Sequence, residues 1–238
     1  SNIEVESVQS VITSPPYWDL KDYGHDDQIG SKDQSYEEYH DRMHQVWSEC
    51  YDVLRPDGTM WIVVDTVMDR GDLTLLPYHI IQRCEEIGFR LEDMVVWYKP
   101  TAIAGMTDRN VVNKKEYIVY LSKSKNHLFH DKEDRENGKE DPAIDQNSFL
   151  GNLWRYPVKR GTVGQKVTHK APYPISLINR IVKLSSDPGD IILDPFLGSG
   201  TTAYSALSLN RKCVGFELNT EFESVIAERL SDFVQRSL

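Results

Sequence analysis

Asp194-Pro195-Phe196-Leu197-Gly198-Ser199-Gly200-Thr201-Thr202 follows the apolar run Ile191-Ile192-Leu193 and leads into Ala203 to Leu209, a run of helical composition. Strand, glycine turn and helix is the arrangement in which backbone N–H groups at a helix start converge on a ligand. Gly198 and Gly200 permit a tight turn and a close approach that a Cβ would block. Just beyond, Cys213-Val214-Gly215-Phe216-Glu217 reads as a second short strand ending in an acid. A carboxylate at that place can accept hydrogen bonds from both hydroxyls of a ribose. A phosphate-gripping loop would need Lys before Ser or Thr, and here Thr201-Thr202 follows the last glycine. A dinucleotide fingerprint would need a third glycine. An ordinary strand–turn–helix connection would not need Asp-Pro-Phe ahead of the glycines. A nucleoside without a pyrophosphate is the ligand that remains.

Working outward, the opposite end of the chain carries Thr13-Ser14-Pro15-Pro16-Tyr17-Trp18 after the apolar run Val8 to Ile12. Two consecutive prolines stop a strand or a helix. The strand is therefore expected to end at Ile12 or Thr13, with the motif as a rigid loop at its carboxyl end, where open α/β sheets bind ligands. Taken alone, Pro-Pro-Tyr is also compatible with a polyproline-like turn that caps a strand.

Together, Asp194 to Thr202, Glu217-Leu218-Asn219 and Ser14-Pro15-Pro16-Tyr17 resemble the DNA amino-methyltransferases, which act on cytosine N4 or adenine N6. The resemblance implies a Rossmann-like α/β fold with S-adenosylmethionine as cofactor, bound by Asp194, Pro195, Phe196, Gly198, Ser199, Gly200, Thr201, Thr202, Glu217, Leu218 and Asn219. His169-Lys170-Ala171-Pro172-Tyr173-Pro174 is similar to a His-x-Ala-Phe-Pro segment of that family. It implies that Lys170, Ala171 and Tyr173 line the methionine end of the pocket, although a lone histidine such as His169 is more often structural. On the catalytic side, the resemblance implies that Ser14 and the Pro15 carbonyl accept the amino hydrogens, Pro16 stiffens the loop and Tyr17 stacks on a flipped base. Ser in the first motif position is typical of cytosine-N4 enzymes, and Asp or Asn of adenine-N6 enzymes. Methylation of cytosine N4 in DNA is the leading expectation. Adenine N6, an RNA base, and a non-catalytic nucleic-acid-binding subunit are the alternatives. In that family a further strand with a Gly-Asp-Cys-like turn precedes Ser-Pro-Pro-Tyr. Only Ile3-Glu4-Val5-Glu6-Ser7 does so here, so that strand is expected either to have been trimmed from this sequence or to be replaced by another segment or a partner.

With 238 residues, one α/β domain with an insertion is the default. Alternating patterns imply a doubly wound, mostly parallel sheet. Helices are expected at Ser35 to Leu54 and Leu73 to Ile87, near Lys170 to Ser185, and from Thr220 onward. Arg55-Pro56-Asp57-Gly58 reads as a turn, and Thr59 to Val64, Leu91 to Tyr98 and Glu116 to Leu121 as strands. The resemblance implies a circularly permuted motif order, with a catalytic half over 1–121, a target-recognition insertion over 122–168 and a cofactor half over 169–238. Net charge is −10, yet Lys99 to Lys170 holds 14 Lys and Arg against 9 Asp and Glu, while the rest holds 13 against 28. A DNA-facing surface is therefore expected in the middle third, with Trp154, Arg155, Lys159, Arg160 and Lys166 as its contacts. A solvated polar loop would have a similar composition. Cys50, Cys84 and Cys213 are odd in number and far apart, which suits reduced core thiols and no metal site. Without an eighteen-residue apolar run or a signal-peptide pattern, no membrane partner is expected. The chain is read as cytoplasmic, nucleoid-associated in a bacterial host, with a homodimer or a partner subunit both admissible.

Overall fold

The computed structural model describes residues 3–18, 25, 27–31, 33–69, 71–100, 112–131, 151–157 and 173–234. Strand β1 (Val8–Thr13) leads to helix α1 (Tyr36–Val53) and strand β2 (Leu54–Val64), then to the hairpin β3 (Val67–Asp69) and β4 (Asp72–Thr74). Helix α2 (Leu76–Ile87), β5 (Arg90–Tyr98), β6 (Lys115–Ser122) and β7 (Leu153–Arg155) come next. Helix α3 (Ile175–Ser185), β8 (Ile191–Asp194), α4 (Thr201–Ser208), β9 (Lys212–Gly215) and α5 (Phe222–Val234) complete the order.

Among the described residues, seven strands form one sheet in the order β7-β5-β6-β2-β1-β8-β9. Pairings β1–β2, β1–β8, β8–β9 and β5–β7 are parallel, and β6 runs antiparallel to both β2 and β5. The fold is a Rossmann-like, mostly parallel sheet, as expected. Period-2 alternation along β2 explains why both faces are covered. Met60, Ile62 and Val64 pack with Tyr39, Met43 and Trp47 of α1 and Leu76, Ile80 and Cys84 of α2. Trp61 and Val63 face the other way, into a cluster with Leu177, Ile178 and Ile181 of α3 and Ala206 of α4. All six residues of β1 are buried, so the strand before Ser14 lies at the centre of the sheet. Cys50 and Cys84 are buried free thiols, and Cys213 is partly buried.

Three expectations change on folding. The Arg55-Pro56-Asp57-Gly58 turn lies inside β2, as an excursion between the pairs Val8↔Leu54 and Ser10↔Thr59. Gly58 is required there, because a Cβ would sit 2.9 Å from the Arg55 carbonyl and 3.1 Å from that of Gln9. Helix α2 starts at Leu76 and not at Leu73, because Leu73 pairs with Met68 in the hairpin and a proline opens the helix. Residues 153–155, assigned to the recognition insertion, join the sheet by pairing with Val96, Trp97 and Tyr98.

Candidate functional site

Strands β1 and β8 lie side by side, pairing Ser10 with Ile192 and Val11 with Leu193, so their carboxyl ends open together. From β1 the chain continues to α1 on one face of the sheet, and from β8 to α4 on the other. Such a switch point leaves a crevice at the strand ends. A cleft of about 550 Å³ occupies it, within the range of small-molecule sites. Ser14, Pro15, Pro16 and Tyr17 line one part, and Phe196, Gly198, Ser199 and Thr201 another. The two motifs, at opposite ends of the sequence, thus share one cavity.

Loop geometry follows from the glycines. Gly198 has φ +53° and Gly200 φ +80°, left-handed conformations that disfavour any side chain. The Gly200 N–H donates to the Leu197 carbonyl at 3.0 Å, and α4 begins at the next residue. Glu217 braces the turn from outside: its Oε2 accepts from the Gly198 N–H at 2.7 Å and its Oε1 from the Asn219 N–H at 2.9 Å. Each carboxylate oxygen keeps a further lone pair, which fits two ribose hydroxyls. Leu218 and Asn219 line the cleft beside it. Pro195 also lines the wall, and the ring of Phe196 is held edge-on against Trp47 at 6.3 Å.

Asp194, expected in direct contact with cofactor, stands behind this wall. Its carboxylate is fully buried and accepts from the Thr13 hydroxyl at 2.6 Å, the Phe196 N–H at 3.0 Å and the Tyr173 hydroxyl at 3.3 Å. Burial raises its pKa, and these hydrogen bonds, Thr13 foremost, oppose that rise. The Tyr173 and Thr202 hydroxyls lie 2.7 Å apart, and burial followed by the Asp194 charge pushes the Tyr173 phenol up. Tyr173 lines the cleft, whereas Gly200 and Thr202 support the wall from behind. Lys170 and Ala171 lie outside the described residues, as do Lys159, Arg160 and Lys166.

The proline loop is braced from α1, where the Tyr39 hydroxyl donates to the Pro16 carbonyl at 2.8 Å. The indole N–H of Trp18 donates to the Gln34 carbonyl at 3.0 Å. Tyr17 reaches across to β6, its hydroxyl donating to Glu116 Oε2 at 3.4 Å. Trp154 is corrected by the structure. It is 4 % exposed, its indole N–H is bonded to the Gly151 carbonyl, and the Arg180 guanidinium lies 4.1 Å over its ring. No face is left for nucleic acid, because pairing of β7 with β5 carries the ring into the core. Neighbouring Arg155 is exposed.

Other lining residues had no signal in the sequence. Glu116 and Trp97 come from adjacent strands, Gln28 and Ile29 from the segment before α1, and Phe216 and Phe222 from either side of the Glu217 turn. Arg229 of α5 donates to Thr201 Oγ1 at 2.6 Å and brings a cation to the start of α4, suited to a carboxylate ligand. Its spacing from Thr201 along the chain carries no information; only the packing of α5 on α4 joins them.

Comparisons with known proteins agree with this arrangement. Residues 8–228 match the N6/N4 methyltransferase family model, described as DNA methylase. The chain is 30 % identical over 94 % of its length to the Type II methyltransferase M.Cfr9I of Citrobacter freundii, covering 81 % of that protein. It is 28 % identical to M.SmaI of Serratia marcescens, over 96 % of this chain and 86 % of that one. Among solved structures, a protein of Thermus thermophilus described as a putative DNA modification methylase, complexed with S-adenosyl-L-methionine, superposes with a TM-score of 0.69. That pair is 29 % identical and covers 97 % of this chain and 88 % of the other. PvuII DNA methyltransferase (cytosine-N4-specific), at 22 % identity, shares the fold with a TM-score of 0.76 over 96 % and 81 % of the two chains. By the extent of the family match and the structure that carries it, this S-adenosylmethionine-dependent chain belongs to the N6/N4 DNA methylase family.

Proposed function

We propose that the protein methylates the exocyclic amino group of a flipped DNA base, cytosine N4 in first place. The observation that carries this is the shared cleft, in which Ser14, Pro15 and Tyr17 face the glycine loop across two adjacent strand ends. Bound S-adenosylmethionine supplies a methyl group on a positively charged sulfur. Gly198, Ser199 and Thr201 would receive its carboxylate at the start of α4, with Arg229 behind them, and Glu217 would hold the ribose. The ring of Phe196 offers an aromatic face near the cation.

An exocyclic amino nitrogen is a poor nucleophile, because its lone pair is delocalised into the ring. Hydrogen-bond acceptors on both amino hydrogens draw the nitrogen toward sp³ geometry and localise the pair. Ser14 Oγ and the Pro15 carbonyl are assigned to this task. The fixed φ of Pro16 and the Tyr39 bond to its carbonyl hold them in place beforehand. The proton leaves after the methyl is transferred. Extrusion of the base costs a few kcal/mol, and stacking on Tyr17 returns about 1–3 kcal/mol. Arg155, together with Lys159, Arg160 and Lys166, is assigned to DNA contact on the charge of that stretch of sequence. The cytoplasm, where DNA and the cofactor meet, is the compartment this activity implies.

Cytosine N4 rests on Ser14 in the first motif position. Methylation of mixed-sequence DNA with labelled cofactor, followed by nucleoside mass analysis, should return N4-methylcytosine; N6-methyladenine as the sole product overturns the cytosine assignment. Tyr17→Ala should lower transfer by about ten- to a hundredfold, the kinetic equivalent of the lost stacking, with cofactor affinity unchanged. Equal loss of both in titration and rate measurements would remove the stacking role.

A further inference from the structure

Glu116 is a carboxylate in a place that disfavours charge. Its side chain is 18 % exposed, it lies on β6 opposite Trp97 of β5, and burial raises its pKa above the ordinary glutamate range. Charges so placed persist only when paired. Lys99, itself 14 % exposed, supplies that partner, with Nζ 2.6 Å from Oε1. An ion pair needed only for the sheet could point away from the cleft. Here Glu116 lines the cleft, and its second oxygen accepts from the Tyr17 hydroxyl at 3.4 Å. The frame behind it is rigid: Trp97 is 3 % exposed with its indole N–H bonded to the Tyr156 carbonyl at 2.9 Å, and the Lys99 N–H donates to the Lys114 carbonyl at 2.7 Å.

Tyr17 sits on a loop, and torsion about its side-chain bonds could swing the ring through several orientations. Stacking selects one plane. On the methyltransfer reading above, we propose that Glu116 is a positioning residue: Lys99 holds one carboxylate oxygen, and the other holds the Tyr17 hydroxyl and fixes the plane on which the target base stacks. The relay Lys99–Glu116–Tyr17 runs from the sheet to the proline loop, and so ties the acceptor side of the cleft to β5 and β6 as Asp194 ties it to β8. Glutamine does not reproduce this link. Its amide oxygen turns toward the Lys99 ammonium and its NH2 group donates where the carboxylate accepted, so the Tyr17 hydroxyl has to change from donor to acceptor and reorient.

The test is a double-mutant cycle on the full chain, with wild type, Glu116→Gln, Tyr17→Phe and the double variant. Glu116→Gln should lower kcat by about ten- to a hundredfold, the usual effect of a small misplacement at a reacting centre. The KM for S-adenosylmethionine and its affinity by titration should stay at the wild-type value. In the Tyr17→Phe background, where no hydroxyl remains, Glu116→Gln should cost less than about threefold further, because the two changes break one link. Losses that multiply, or a fall in cofactor affinity matching that in kcat, overturn the positioning role. If Glu116→Gln does not fold, Lys99→Met with Glu116→Gln removes both charges and takes its place in the cycle. Thermal unfolding of the same four proteins reads the coupling without catalysis. A wild-type chain that transfers no methyl overturns the methyltransfer reading itself, whereas a working wild type with multiplying losses overturns the assignment of Glu116 alone.

Discussion

At the scale of single residues, Asp194 holds the site together without lining it. One buried carboxylate accepts from Thr13 at the end of β1, from the Phe196 amide in the cofactor loop and from Tyr173. Thr13→Val removes the shortest of these bonds and leaves the buried acceptor short of a donor, at a cost of about 2 kcal/mol. Urea denaturation should show that loss, and the transfer rate should fall because Ser14 is the next residue. The pKa shift of Asp194 has a definite sign. Burial raises its folded value above the roughly 3.9 of an unfolded aspartate. Between those two values the folded state binds the proton that the unfolded chain has released, so stability from this group is full below the unfolded pKa. It declines as pH rises through the interval up to the folded pKa. Asp194→Asn should therefore flatten the pH dependence of the unfolding free energy just above the ordinary aspartate range, measured by urea titration at a series of pH values. An unchanged profile would show that the carboxylate titrates alike in both states.

At the scale of elements, α1 serves the site through its first turn. Ser35 caps it with a full capping box: Ser35 Oγ accepts from the Glu38 N–H and the Glu38 carboxylate from the Ser35 N–H. Tyr39 lies on the next turn and holds the Pro16 carbonyl. Ser35→Ala should cost about 1 kcal/mol in thermal or urea unfolding. Fraying of this turn would loosen the proline loop, so the rate of methyl transfer should fall while cofactor affinity, which depends on β8 and α4, holds. Helix α4 has the opposite arrangement. No side chain caps it, and Gly200 at φ +80° turns the chain into it, leaving the helix start to face the cleft.

At the scale of the whole molecule, residues from both ends of the chain meet in one sheet, with β1 between β2 and β8. Cofactor bound at β8 should therefore stabilise the catalytic half as well. With S-adenosylmethionine at a hundred times its Kd, linkage gives about 2.7 kcal/mol, a rise in Tm of roughly 5–11 °C for a chain of this size. Calorimetry should show one transition moving as a unit; a second transition unmoved by cofactor would separate the halves.

The sequence by itself determined the motifs, their order, the mostly parallel sheet and the class of ligand. Prolines, glycines and alternating apolar residues impose local backbone rules that do not depend on what packs against them. Ser14 and Gly198 could be read because each sits at the end of a strand signalled by its own apolar run. Only the tertiary structure decided that Trp154 is core, that Asp194 stands behind the wall, that Glu116 and Trp97 line the cleft, and that Arg229 reaches Thr201 behind it. Each of those outcomes depends on which strands and helices become neighbours. That choice is made by burial summed over both faces of the sheet, and no short window of sequence contains it.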